Sequence, residues 1–291
     1  MLKAFIAVLI FCISSISLAQ QKPLNIIVFG AHPDDCDETT GGTAILWSKM
    51  GYNVKFVSLT NGDAGHHEMG GGELAKVRMA EAQEAKKRFG IAEYEVLDHH
   101  DGELMPTLDV RLEVIRRIRQ WNADVVVTPR TNDYHPDHRY TGVLVQDASY
   151  MVIVPNVAPD TPPLKKNPVF LYVEDRFLKP NPFIPYIAVD ISDVYEQKIQ
   201  ALAGHNSQMF EWLPWTVGML DQVPAGEKER LEWLGKTRSG TITPEIRKSL
   251  VKWYGGEKGN KVVQAESFEL CEYGRHPSDD EIRFIFPMLG K

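Results

Sequence analysis

Cysteine is scarce: the 291 residues hold three, and Cys12 lies within an apolar N-terminal run. Cys36 and Cys271 are too few for a disulfide framework, and their positions leave open whether they pair. Cohesion must therefore come from a buried core, which a chain with 43% hydrophobic and 24% charged residues can build. Positive charge is also short, with 32 Lys and Arg against 39 Asp and Glu, a net charge of −7. That balance gives no reason to expect a nucleic-acid partner, and a small molecule or glycan is the easier expectation. Past the first twenty residues no apolar run reaches the roughly 18 residues of a membrane span. No internal repeat is visible, and homo-oligomer formation stays open.

The N-terminus is built differently. Lys3 is followed by an apolar stretch over 4–18, and Ser17 and Ala19 place small residues at −3 and −1 of a cleavage site. This predicts a secretory signal peptide over 1–19, hence a secreted or periplasmic protein. Cys12 follows Ile10 and Phe11 rather than small residues, so lipidation is not expected.

The rest reads as alternating strands and helices. Strands are predicted over 25–29, 53–59, 93–97 and 124–128, each a short β-branched or apolar run bounded by turn residues. Helices are predicted over 43–50, 73–89, 108–121 and from about Tyr140, with Gly51 and Gly90 as stops. This alternation predicts an α/β, Rossmann-like three-layer fold with a mainly parallel sheet. Residues 155–168 contain five prolines and should be irregular. Strands over 169–173 and 186–189 and a helix over 192–205 capped by Ser192 complete a catalytic domain over 23–208. Residues 209–291, with helices over 227–234 and 244–253, are expected to form a smaller helical extension or cap packed on that core.

Strand one runs into Ala31-His32-Pro33-Asp34-Asp35, and strand four into the loop bearing His135-Pro136-Asp137-His138. In a doubly wound sheet these strands are neighbours at the point where strand order reverses, and ligands bind beyond their carboxyl ends. Catalytic zinc uses three nitrogen or oxygen ligands and an open position. His32, Asp35 and one histidine of the second loop supply that set. Asp34 can then act as base on a water, and the other histidine can donate to a developing oxyanion. Strand one leads into this motif and not into a glycine-rich dinucleotide fingerprint, which disfavours nucleotide binding.

At these residues the chain resembles the zinc-dependent deacetylases named after LmbE and PIG-L. The shared landmarks are Ala31 to Asp35, Thr60-Asn61-Gly62-Asp63, the helix around Arg78 to Glu84, and His135 to His138, within about 25–208. The resemblance implies His32, Asp35 and His138 as ligands of Zn2+, or of another divalent transition metal. It implies Asp34 as general base, His135 as oxyanion stabiliser or proton donor to the amine, and Asp137 as support for a ligand histidine. The implied reaction is hydrolysis of an N-acetyl group from a glucosamine-like sugar. Two departures stand out: Cys36 follows the paired aspartates, and Asp133 occupies a position where some relatives carry an oxyanion-assisting tyrosine.

Other candidates flank this site. Arg78, Asp63, His66 and Asp101 could contact substrate. Their alternatives are a surface ion pair with Glu81 or Glu84 for Arg78, turn formation for Asp63, and a solvated loop for His66 and His67. Cys36 is expected to be a small buried residue. Of Trp212, Trp215, Trp233 and Trp253, most should pack in the core, with one free to stack a sugar. Two other functions stay open: a zinc esterase or amidase acting on another acyl group, and a non-catalytic glycan-binding protein.

Overall fold

The computed structural model describes residues 22–290. The expected signal peptide lies outside the described residues, among which no helix is long and apolar enough to cross a membrane. Four βα units come first: β1 (Asn25–Gly30), α1 (Asp35–Lys49), β2 (Asn53–Thr60), α2 (Gly71–Phe89), β3 (Glu93–His99), α3 (Leu108–Gln120), β4 (Val125–Thr128) and α4 (Pro136–Met151). Then follow β5 (Val169–Val173), β6 (Ile187–Asp190) and α5 (Tyr195–Leu202), the short α6 (Leu213–Thr216), α7 (Glu227–Thr237), α8 (Pro244–Tyr254), the short α9 (Gly256–Gly259), β7 (Ala265–Leu270) and α10 (Asp279–Ile285).

The seven strands form one sheet in the order β3-β2-β1-β4-β5-β7-β6. β3 through β5 pair in parallel, and only β7 runs against the rest. Alternate residues of each strand enter opposite faces: Ile26 and Val28 of β1 join one core cluster, Ile27 and Phe29 the other. Both faces are covered by helices, which gives the three layers and explains why these strands are apolar throughout. β1 lies between β2 and β4, so strand order reverses at β1/β4 as expected.

Three elements differ from the sequence reading. α1 starts at Asp35, eight residues before the predicted helix, because Thr39-Thr40-Gly41-Gly42 has poor helix propensity. Packing overrides propensity there: a Cβ on Gly41 would lie 2.6 Å from the Phe89 ring, and one on Gly42 2.9 Å from Ile191. α4 starts at Pro136, not near Tyr140, with His135 as its N-cap and proline in the first turn. The predicted helix over 192–205 divides into a 3-10 turn (Ser192–Val194) and α5, followed by a π-helical turn (Ser207–Trp212).

The C-terminal segment expected to be helical also supplies β7. This strand inserts between β5 and β6 and gives β6 its sheet partner. Cys36 and Cys271 are buried, unpaired, and belong to the clusters on opposite faces of the sheet.

Candidate metal centre and catalytic cleft

A cleft of about 900 Å³ opens beyond the carboxyl ends of β1 and β4, and His32, Asp34, Asp35, His135 and His138 line it. The loop after β1 delivers the first three, and the capped N-terminus of α4 delivers the two histidines. Asp35 begins α1, where Oδ2 accepts the backbone N–H groups of Ala31 and His32 at 2.8 Å each.

Three donor groups converge. His32 Nδ1 lies 3.2 Å from His138 Nε2 and 3.5 Å from Asp35 Oδ2, and His138 Nε2 lies 3.4 Å from Asp35 Oδ1. A tetrahedral ion with bonds of about 2.0–2.1 Å separates its donors by about 3.3 Å. The electrostatics point the same way. Burial works against charge on His138, yet Asp35 and Asp133 hold its ring up at about 10. Burial likewise opposes charge on His32, and Asp101, Asp137 and Asp35 still hold it well above the usual histidine range. Two rings driven toward positive charge with their nitrogens 3.2 Å apart repel each other. A divalent cation bound by both neutral rings satisfies the carboxylates without that repulsion, so the residues present fit a metal.

Carboxylates orient both rings from behind. Asp133 Oδ1 lies 3.1 Å from His138 Nδ1 and also accepts the His135 backbone N–H. On the far side of His32, Nε2 lies 3.0 Å from Asp101 Oδ1 and 3.4 Å from Asp137 Oδ2. His32, Asp101 and Asp137 themselves bring donor atoms within 4.8 Å of one another, as do His32, His135 and His138. Asp137 Oδ2, however, already accepts the Gly102 N–H at 2.7 Å, and a His135 nitrogen accepts the Asp137 N–H at 3.2 Å. Asp137 and His135 thus each have one donor atom committed to a backbone N–H, while Asp35 gives Oδ2 to two such groups and keeps Oδ1 toward His138.

Asp34 stands beside the triangle at φ 155° and ψ −23°, a conformation that L-residues rarely adopt. Its Oδ1 pairs at 3.1 Å with Nη2 of Arg78, which also donates to Pro33 O at 2.7 Å. Burial pushes the Asp34 carboxyl up to about 6 against the pull of Arg78. His135 goes the other way: burial and the neighbouring His32 and His138 lower it. With Nδ1 accepting a backbone N–H, the neutral ring carries its proton on Nε2.

The expected substrate contacts separate. Arg78 is buried at 2% exposure, which rules out the surface ion pair; Glu81 instead holds Ser207 and Glu84 holds Arg88. Asp101 lines the cleft while giving Oδ1 to His32. Asp63 does not line it: its carboxylate takes His100 Nδ1 at 2.6 Å and the Asp101 N–H at 3.0 Å, fixing the loop that carries Asp101. His66 is tied to Glu211 at 3.0 Å. Sequence reading missed Asp133 as support for His138, since only the fold turns its side chain back onto the ring. It also missed a fully buried network behind Asp34, in which Asp37 receives His205 at 2.9 Å and Tyr94 at 2.7 Å.

The chain is similar to several known proteins. Residues 27–149 match the family described as PIG-L, GlcNAc-PI de-N-acetylase. A diacetylchitobiose deacetylase from Thermococcus kodakarensis is 33% identical over 220 residues, covering 70% of this chain and 79% of that protein. The structure of N,N'-diacetylchitobiose deacetylase from Pyrococcus horikoshii superposes with a TM-score of 0.61 at 26% identity, covering 88% of each chain. A 4-carboxy-2-hydroxymuconate hydratase from Pseudomonas putida has the same fold, with a TM-score of 0.67 at 18% identity over 88% of this chain and 99% of its own. Fold alone therefore does not select a reaction. The matched motifs and the extent of identity do assign kinship: the chain belongs to the PIG-L (LmbE-like) family.

Proposed function

We propose that this protein is an exported, zinc-dependent N-deacetylase acting on an N-acetylglucosamine-type sugar or glycan. The observation that carries the reading is the triangle of His32, Asp35 and His138 with Asp34 held beside it by Arg78. Relatives whose names specify removal of acetyl groups from N-acetylated sugars support the substrate class. Export rests on the composition of residues 1–19.

His32, Asp35 and His138 would hold the metal, and a bound divalent cation supplies Lewis acidity toward a water and an acyl oxygen. Asp34 is the base that takes a proton from the attacking water, and Arg78 holds its carboxylate in position while leaving Oδ2 for that transfer. A divalent charge nearby draws the Asp34 carboxyl below its value in the metal-free site, which keeps it ionised near neutral pH. His135 Nε2–H donates to the oxygen that becomes negative as the carbonyl carbon turns tetrahedral. Because His135 stays neutral, the proton on Asp34 is the one passed to the departing amine. The C–N bond then breaks to give acetate and the free amino sugar.

Asp34→Asn should retain metal and lose at least about 100-fold in turnover, the usual share of a general base. Chelation should abolish acetate release, and added zinc should restore it. Metal content, with acetate release from N-acetylated and O-acetylated sugars, checks both points. Full activity without metal, or normal turnover by Asp34→Asn, would sink the assignment, and preference for the O-acetyl sugar would favour an esterase.

A further inference from the structure

The strain at Asp34 has to be held from outside. A residue at φ 155° keeps that conformation only where its surroundings leave it no alternative. Arg78 grips one end of the turn, at Asp34 and Pro33. The other end is the start of α1, where the Glu38 N–H closes onto Asp34 O at 2.9 Å. Residues Asp34 to Glu38 thus form one hydrogen-bonded turn, and any shift of Asp37 is passed on to Asp34 and Asp35.

Asp37 fastens this turn to the interior. Its carboxylate is fully buried, accepts the Tyr94 hydroxyl of β3 at 2.7 Å and lies 2.9 Å from His205 Nε2, just past α5. The next carbonyl, Glu38 O, accepts Lys198 Nζ of α5 at 2.6 Å. Gly204 permits this approach. A Cβ there would sit 2.9 Å from Ala201 O and 3.3 Å from Ala85 N, so the end of α5 lies directly against the α2 backbone. His205, itself fully buried, is thereby set inward against the first turn of α1.

Stability alone does not call for a polar fastening here. Farther along α1 the buried side chains of Ala44, Ile45 and Trp47 hold the helix by packing. A buried carboxylate is tolerated only with donors aimed at it, and His205 Nδ1, also buried, has no hydrogen-bond partner among the described residues. What the network adds is direction. Apolar contacts let a helix slide by fractions of an ångström, whereas two donors converging on one carboxylate fix its place. A displacement of about 1 Å can cost about 100-fold in rate. Asp35 must also meet His32 and His138 in one triangle, so metal affinity depends on the same precision.

We propose that His205 and Tyr94 are positioning residues that, through Asp37, set the reach of Asp34 and Asp35. Neither lines the cleft, and both act on the chemistry only by placing the turn that carries it. The inference rests on the deacetylase reading above and adds the residues that hold its base and one of its metal ligands in place.

The test compares His205→Leu, His205→Gln and Tyr94→Phe with wild type. Zinc affinity is measured by chelator competition, kcat and KM by acetate release from a panel of N-acetylated sugars at saturating zinc, and stability by urea unfolding. His205→Leu removes the donor and should weaken zinc binding about 10- to 100-fold. Its kcat should fall about 100-fold even at saturating zinc, with KM within about twofold of wild type. His205→Gln keeps an N–H donor but no charge and should recover most of both losses, which separates placement from the field of a charged ring. Tyr94→Phe removes one oxygen and should fall between wild type and His205→Leu. Folded variants with a lower urea midpoint but wild-type zinc affinity and kcat would show a packing role alone and overturn the proposal. So would a His205→Gln no better than His205→Leu. If His205→Leu does not fold, Tyr94→Phe decides, and unchanged zinc affinity and kcat there remove the role. If wild type releases acetate from no sugar, it is the deacetylase reading that fails, and zinc affinity alone then decides the positioning.

Discussion

Arg78 shows how one buried side chain connects position and reactivity. Its guanidinium spans Asp34 Oδ1 and Pro33 O, so it holds both the proposed base and the turn that presents it. Without it, Asp34 is a carboxylate removed from water with no cation contact in place of solvent. Arg78→Ala should therefore raise the pH at which Asp34 loses its proton. The acid limb of the kcat profile should move upward, and activity near neutral pH should fall by at least about 100-fold. Arg78→Lys keeps charge but loses the planar fork, so it should fall between wild type and Arg78→Ala. A pH profile of acetate release that is unchanged in Arg78→Ala would remove this role.

Among elements, the first turn of α4 has the largest effect on the site. Pro136 sets the entry angle, His135 caps the helix through its ring nitrogen, and Asp133 faces back to receive both the His135 N–H and the His138 ring. Asp133 thereby fixes the His138 tautomer with Nε2 toward His32 and Asp35. Asp133→Ala should weaken zinc binding about 10- to 100-fold, measured by competition with a chelator, with little change in far-UV circular dichroism. This start was obscure in the sequence because histidine is not a favoured N-cap, although proline at the first helical position is an ordinary signal. α1 was obscured for a related reason, since its threonines and glycines suit a tight contact better than an isolated helix.

On the scale of the molecule, the C-terminal segment is part of the sheet. β7 supplies the partner of β6 and carries Glu266, whose buried carboxylate accepts the N–H groups of Gly42 and Thr43 at 2.8 and 2.7 Å and pairs with Lys198 at 2.7 Å. Trp47 of α1 donates to Ile285 O at 2.7 Å and packs on Phe286. Ending the chain at residue 264 would strand β6, expose the edge of β5 and leave Lys198 buried without its partner. Such a truncation should fail to give cooperative urea unfolding, although every proposed metal ligand is still present. A soluble, zinc-binding 22–264 fragment with a sharp transition would refute that dependence.

The sequence by itself determined the βα order, the reversal at β1/β4 and the two loops that meet there. Local patterning dictates strands and helices, and the chirality of βα crossovers dictates where their ends emerge. It also supplied the donor chemistry, since His32, Asp35 and His138 are informative as residue types in a fixed order. Contacts between residues distant in the chain were decided by tertiary structure alone. Arg78 turned inward to Asp34, Asp101 was drawn onto His32, Asp133 was set behind His138, and Trp212 was brought to the cleft wall. None of these has a local signature, because a side chain's partner across the fold depends on packing geometry and not on its neighbours in sequence. β7 is the same case at larger scale: Ala265–Leu270 becomes a strand because two edges in the sheet await it.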